Sequence, residues 1–144
     1  MNIGSIMTHD VVTVRMDDSL KKIRKIFKSA AFHHVLVMEG QKLVGVISDR
    51  DLLRAISPYI DTLSEKTRDA DTLSRKAHQI MSRKIITVNV ETAIETAAGL
   101  LLDSDVSCLP VVSLRGDVKG IVTWKDILMF YLEDTEPTGK NNDE

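Results

Sequence analysis

The chain has 144 residues, and its 19 Lys and Arg against 21 Asp and Glu leave a formal net charge of −2 at pH 7. That balance offers no basic excess to attract nucleic acid or an anionic membrane, and 43% hydrophobic with 28% charged residues is a globular composition rather than a disordered one. The longest aliphatic runs, such as Val35–Met38, are too short for membrane insertion, and MNIGSIMTHD has neither the basic nor the apolar region of a secretory leader.

In chain order, Val11–Val14 is short and β-branched and reads as a strand. Asp17-Asp18-Ser19 then offers helix caps, and Leu20, Ile23, Phe27 and Ala30 recur at three- and four-residue spacing, which predicts an amphipathic helix from about Asp18 to Ala31. Strands Val35–Met38 and Lys42–Ile47 follow, joined by a tight turn at Glu39-Gly40-Gln41. Ser48 caps a second helix carrying Leu52, Leu53 and Ile56. From residue 58 to 79, Leu63, Ala70, Leu73 and Ala77, continuing to Ile80, predict a largely helical connector with one apolar stripe. Strand Ile85–Val88, helix Thr92–Ser104, strands Leu109–Ser113 and Val118–Val122, and helix Lys125–Leu132 come next. The polar tail over 133–144 reads as disordered.

The order β-α-β-β-α thus occurs twice. I-M-T-H-D-V-V-T-V from Ile6 matches I-M-S-R-K-I-I-T-V from Ile80 at an offset of 74 residues, which becomes 75 after the second hairpin gains a residue. Met7 and Met81 are equivalent and read as core anchors. Two copies predict two halves rather than a solenoid: repeat 1 over 3–57, the connector over 58–79, and repeat 2 over 80–132.

The sharpest signal is the doubled stretch Gly45-Val-Ile-Ser48-Asp-Arg-Asp51 and Gly120-Ile-Val-Thr123-Trp-Lys-Asp126. Each copy is a glycine, two apolar residues, a hydroxyl, two variable residues and an aspartate. This motif, with the repeat and its element order, resembles the cystathionine-β-synthase (CBS) domain, two of which in tandem form a Bateman module. The resemblance covers about residues 3–131. It implies an α+β fold of two CBS repeats packed with pseudo-twofold symmetry. It also implies binding of AMP, ADP, ATP or another adenosyl compound, with the aspartate accepting the ribose hydroxyls and the hydroxyl residue contacting phosphate.

In related modules each cleft joins the motif of one repeat to the strand starts of the other. One cleft would then combine Thr123, Lys125 and Asp126 with Val11, Val12, Phe32, His33 and His34. The second would combine Ser48, Arg50 and Asp51 with Ile85, Ile86, Val106, Ser107 and Cys108. The first has more cations to offer phosphate and is expected to bind more tightly.

The residues themselves support this chemistry. Ser48 and Thr123 stand where a strand becomes a helix, where free N–H groups and the helix dipole favour an anion. An ionised aspartate is an acceptor that can take both hydroxyls of a ribose diol. The same Ser-x-x-Asp and Thr-x-x-Asp spacing also makes a helix capping box, which stabilises a helix without any ligand. Adjacent strand residues face opposite ways, so His33 and His34 do not chelate one metal, and His9 and His78 have no metal spacing. Cys108 reads as a small buried hydrophobe. Trp124, in the place of Asp49, reads as packing, and Lys21, Lys22, Arg24, Lys25 and Lys28 as a solvated basic face.

No P-loop, zinc spacing or nucleophile–base pair is legible, so no enzyme and no catalytic cofactor is expected. The expected role is a stand-alone regulatory sensor of adenosine nucleotides, acting on an unidentified protein partner or through a homodimer. A ligand-free interaction scaffold of the same fold is the alternative. With a single cysteine unable to form an internal disulfide, the expected location is cytoplasmic.

Overall fold

The computed structural model describes residues 1–29 and 32–135. Its backbone separates into two units, Asp10–Ile85, and Met1–His9 together with the chain from Ile86 onward. Both mix helices with a small sheet.

In the Asp10–Ile85 unit, strand β1 (Thr13–Arg15) runs parallel to β2 (His34–Glu39), which runs antiparallel to β3 (Lys42–Ser48). Parallel neighbours need a crossover, supplied by helix α1 (Leu20–Lys28). Ser19 starts that helix by accepting the Lys22 amide at 3.3 Å, and Leu20 and Ile23 turn into the core. The helix starts later than expected because Asp18 is engaged before it, accepting the Arg15 amide at 2.7 Å. Its expected last residues, Ala30 and Ala31, lie outside the described residues. The first strand opens at Thr13 rather than Val11, its ladder led by the Leu36 amide donating to the Val12 carbonyl at 3.0 Å. Central strand β2 buries Val35, Leu36 and Val37 in succession because both its faces are covered, whereas edge strand β1 buries only Val14. Gly40, at φ 60°, makes the two-residue turn to β3.

Helix α2 (Asp49–Ala55) follows β3 directly. The connector then departs from expectation. It forms α3 (Thr67–Asp71), a 3-10 turn at Thr72–Ser74 and α4 (Ala77–Ile80), with turns before them, and Leu63 is fully exposed. Side chains there bond local backbone instead of letting a helix propagate. Thr62 Oγ1 donates to the Tyr59 carbonyl at 2.6 Å, Glu65 accepts the Asp61 amide at 2.7 Å, and Asp61 sits at φ 63°. The basic face of α1 is partly paired with this segment, Arg24 reaching Asp61 at 2.8 Å and Lys28 at 3.9 Å.

In the other unit, α5 (Ile94–Asp103) precedes the hairpin of β4 (Cys108–Val112) and β5 (Val118–Thr123), and α6 runs Trp124–Thr135. The helix therefore continues past Glu133, and the expected tail from 136 lies outside the described residues. Helix α5 begins at Ile94 because Thr92 is spent on the preceding turn, accepting the Asn89 amide at 3.1 Å. The expected strand Ile85–Val88 is reduced to a single parallel bridge, Val88 to Val111. Its missing bond has a covalent cause. Where Leu36 donates to Val12 in the first copy, the second has Pro110, which has no N–H to give to Ile86.

The duplication is visible in register. Val14 pairs with Val37 as Val88 pairs with Val111, and the bulge after Val37 recurs after Val111. Ser82 bridges Val46 as Thr8 bridges Ile121, and Lys76 bridges Ser19 as Asn2 bridges Ala93. These last pairs show an exchange of segments. The leading segment of each sequence repeat packs in the unit that holds the sheet of the other repeat. Ala77 and Met81 thereby enter the core of Val14, Leu20, Ile23, Val35, Val37, Ile47 and Leu52. Ile3 likewise enters the core of Ile94, Leu101, Leu109, Val111, Val122 and Ile127. A fully buried side chain the size of Ile3 or Met81 contributes roughly 1.5–3 kcal/mol, and the single methyl of Ala77 less. Among the described residues no helix is long and apolar enough to cross a membrane.

Candidate functional site

Both copies of the motif lie where the last strand of a sheet turns into a helix. Their glycines are fixed by close approach. A Cβ on Gly45 would lie against the Met81 side chain, 2.7 Å from its Cγ and 2.9 Å from its Cβ. One on Gly120 would lie 2.6 Å from the Thr8 carbonyl oxygen and 3.1 Å from Met7 Sδ. The equivalent methionines thus occupy equivalent places, each over the glycine of the other repeat.

In the first copy the capping box is complete. Ser48 Oγ accepts the Asp51 amide at 3.1 Å, and Asp51 Oδ2 accepts the Ser48 amide at 2.8 Å. Ser48 is buried, Asp51 half-buried and Arg50 exposed. Among the described residues, Asp51 Oδ1 takes no hydrogen bond.

The second copy uses the same residue types differently. Asp126 Oδ2 accepts the Thr123 amide at 2.9 Å, but Thr123 Oγ1 donates to that same oxygen at 3.2 Å. Thr8 Oγ1 adds a further bond, 3.1 Å from Oδ1 and 3.4 Å from Oδ2. Asp126 is half-buried, and Lys125 and Thr8 are exposed. Thr8 escaped notice in the sequence, although a hydroxyl follows the repeat-equivalent methionine in both copies, as Thr8 and as Ser82.

Of the other expected residues, Val11, Val12, Phe32, His33, His34 and Ile85 belong to the unit that contains Asp51. Ile86, Val106, Ser107 and Cys108 belong to the unit that contains Asp126. His33 Nδ1 lies 3.0 Å from Asp49 Oδ2, and the His33 carbonyl accepts the Asp49 amide at 3.0 Å. His34 faces Ser48 across the β2–β3 ladder, as Cys108 faces Thr123 across β4–β5. Burial lowers the pKa of His34 below 6.5, although Asp49 and Asp51 pull the other way. It is therefore mostly neutral at pH 7 and supplies little positive charge there. Cys108 is buried, as expected of a small hydrophobe. Trp124, the first residue of α6, is partly exposed. Among the described residues no three His, Cys, Asp or Glu side chains gather as metal ligands.

The two copies differ in one backbone acceptor as well. The Val12 carbonyl is taken by the Leu36 amide, whereas the Ile86 carbonyl has lost that partner to Pro110. The change from Leu36 to Pro110 between the copies thus frees an acceptor in the second.

Comparison with known proteins agrees with this doubled architecture. The CBS domain family matches residues 3–58 and 77–133. The CBS domain-containing protein DDB_G0289609 of Dictyostelium discoideum is 28% identical over 137 residues, which are 94% of this chain and 94% of that protein. MJ1225 of Methanocaldococcus jannaschii is 25% identical over 90% of this chain and 46% of its own length. The chain spans less than half the length of the first curated relatives it matches. Among solved structures, CBSX2 of Arabidopsis thaliana in complex with AMP superposes with a TM-score of 0.74 at 25% identity, over 94% of this chain and 98% of that one. With its duplicated motif, its matching registers and its two family segments, the chain belongs to the CBS domain family and carries the domain twice.

Proposed function

We propose that this chain is a regulatory module that binds an adenosine nucleotide, with Asp51 and Asp126 accepting ribose hydroxyls. One observation carries the reading: in both copies the backbone amide of the hydroxyl residue fixes the carboxylate three residues on, at 2.8 Å and 2.9 Å. An aspartate held by one oxygen at a helix start is preorganised as an acceptor for a diol. Thr123 lies beside the N–H groups that open α6, whereas at Ser48 the Asp49 and Asp51 amides are already taken by the His33 carbonyl and the Ser48 hydroxyl, and the exposed Arg50 and Lys125 supply charge for phosphate. The Ile86 carbonyl suits the amino group of adenine, and Val12 offers an apolar edge. AMP in CBSX2 supports an adenosyl ligand for this chain.

His33, oriented by Asp49, is the better phosphate contact of the histidine pair, since His34 is held neutral. The module works as a cytoplasmic homodimer that signals to a protein partner and catalyses nothing itself. The exposed Leu128, Met129 and Leu132 of α6 form its dimer face. A ligand moves such a partner only by preferring one of its conformations, and by no more than that difference in affinity.

Titration calorimetry with AMP, ADP, ATP and S-adenosylmethionine, on the wild type and on Asp51→Ala and Asp126→Ala, tests the reading. Loss of hydrogen bonds to a charged acceptor should weaken the affected site by about 10- to 150-fold. Ligand at 100 times its Kd should add about 2.7 kcal/mol of stability, roughly 8 °C in melting temperature.

The capping geometry favours a second reading, a scaffold in which these aspartates only cap helices. In that case no adenosine compound shifts the melt, and each Asp→Ala change costs about 1 kcal/mol of stability and nothing else.

A further inference from the structure

We infer that the Thr8 hydroxyl stands in for a ribose hydroxyl on Asp126, so that a nucleotide taken at this motif must displace Thr8 and loosens the Met1–His9 segment. The inference rests on the nucleotide reading above and adds to it a built-in competitor at one of the two motifs.

The geometry is that of a site already filled by its own chain. A carboxylate offers roughly four lone-pair directions. On Asp126 the Thr123 amide and hydroxyl occupy Oδ2 at 2.9 Å and 3.2 Å. The Thr8 hydroxyl spans the remaining side, 3.1 Å from Oδ1 and 3.4 Å from Oδ2. A vicinal diol would bring two donors to that same side, and the Thr8 hydroxyl cannot keep its place among them. Thr8 is exposed and Asp126 only half-buried, so the exchange needs no opening of the core.

The Asp51 copy is the internal comparison. Its Ser48 hydroxyl accepts the Asp51 amide instead of donating to the carboxylate. The residue equivalent to Thr8 is Ser82, and among the described residues no hydrogen bond joins the Ser82 side chain to Asp51. Two motifs of one sequence pattern are thus left in different states, Asp51 without a resident hydroxyl and Asp126 with one. This reverses the ranking expected from the supply of cations, and Asp51 becomes the tighter motif.

Displacement also has a structural reader. Thr8 is the bridge residue that holds the leading segment to β5. Its amide donates to the Ile121 carbonyl and its carbonyl accepts the Ile121 amide, both at 2.9 Å. A single bridge leaned on by a side-chain bond is weakened when that bond is taken away.

The experiment is an AMP titration of the wild type, Thr8→Val, Thr8→Ser, Asp51→Asn and Asp126→Asn, with amide hydrogen exchange at Thr8 and Ile121. Thr8→Val keeps the branched shape without the donor and should tighten the Asp126-dependent binding event about 3- to 10-fold, the size of one exposed hydrogen bond. Thr8→Ser should behave as wild type. Saturating AMP should speed exchange at Thr8 and Ile121 in the wild type. An Asp126-dependent event that Thr8→Val leaves unchanged or weakens overturns the inference while leaving the nucleotide reading intact. AMP binding that ignores both Asp51→Asn and Asp126→Asn, or no AMP binding by any variant, removes that reading and the inference with it. A ligand-free melt of Thr8→Val within 2 °C of wild type shows that any change in affinity is not a folding defect.

Discussion

Gly120→Ala tests the segment exchange at its tightest point. The added methyl would lie 2.6 Å from the Thr8 carbonyl oxygen, well inside contact distance, and 3.1 Å from Met7 Sδ. The sulfur ends a flexible side chain and can retreat. The carbonyl cannot, because it accepts the Ile121 amide at 2.9 Å while the Thr8 amide donates back at 2.9 Å. Relief therefore means moving backbone and stretching both bonds. Overpacking costs about 1–3 kcal/mol, and two weakened hydrogen bonds add roughly 1 kcal/mol. The expected loss is about 2–4 kcal/mol, read as a lower urea midpoint at unchanged slope. Gly45→Ala meets mainly the Met81 side chain and should cost less, about 1–3 kcal/mol. Combining it with Met81→Ala should cost less than the sum of the two single changes, since the clash and the cavity cancel. Gly99→Ala, in open space on α5, should stabilise by about 0.5–1 kcal/mol and serves as the control. A Gly120→Ala protein as stable as the wild type would refute the packing argument.

Further tests follow from single groups. Burial lowers the His34 pKa, so the unfolded chain takes up that proton more readily than the folded one. Its contribution to stability is therefore complete above about pH 6.5 and is lost as pH falls towards the lowered folded value, and His34→Gln should flatten the urea midpoint across that window. The Ser57 hydroxyl and the Lys66 amide, both at 2.8 Å, hold the Asp69 carboxyl below its usual 3.8. That contribution stands above pH 3.8 and is lost as pH falls through the lowered value, so Asp69→Asn should make acid unfolding, followed by circular dichroism, less steep. Pro110→Leu restores a donor for the Ile86 carbonyl. It should protect the new amide from hydrogen exchange, and it should weaken nucleotide binding if that carbonyl receives adenine.

The repeat, the element order and the motif were legible because they rest on local chemistry: β-branched runs, a serine before each amphipathic turn of the first copy, and glycine where backbone comes close. The strand at Ile85–Val88 misled because its residues are good strand formers, while the bond that fails belongs to Pro110 on the neighbouring strand. The connector misled because apolar spacing ignores what Thr62, Asp61 and Glu65 do with nearby backbone. The doubled spacing singled out Asp51 and Asp126, and their expected role as ribose acceptors came with the resemblance to the CBS domain. That one accepts a single amide and the other a threonine from far along the chain depends on tertiary contacts that spacing does not encode.

The exchange of leading segments bears on how such a chain could arise. A lone repeat has a bare strand edge at the position of Val46 or Ile121 and a gap over its glycine, and its own leading segment fills neither. It becomes whole only by lending that segment to a twin and borrowing the twin's in return. An ancestral single copy would therefore have been a reciprocal pair of chains. Joining two copies in one chain turns an encounter that depends on concentration into one that a single polypeptide guarantees. A fragment cut at the sequence boundary after residue 57 would return to that older condition, seeking a second copy to close its edge.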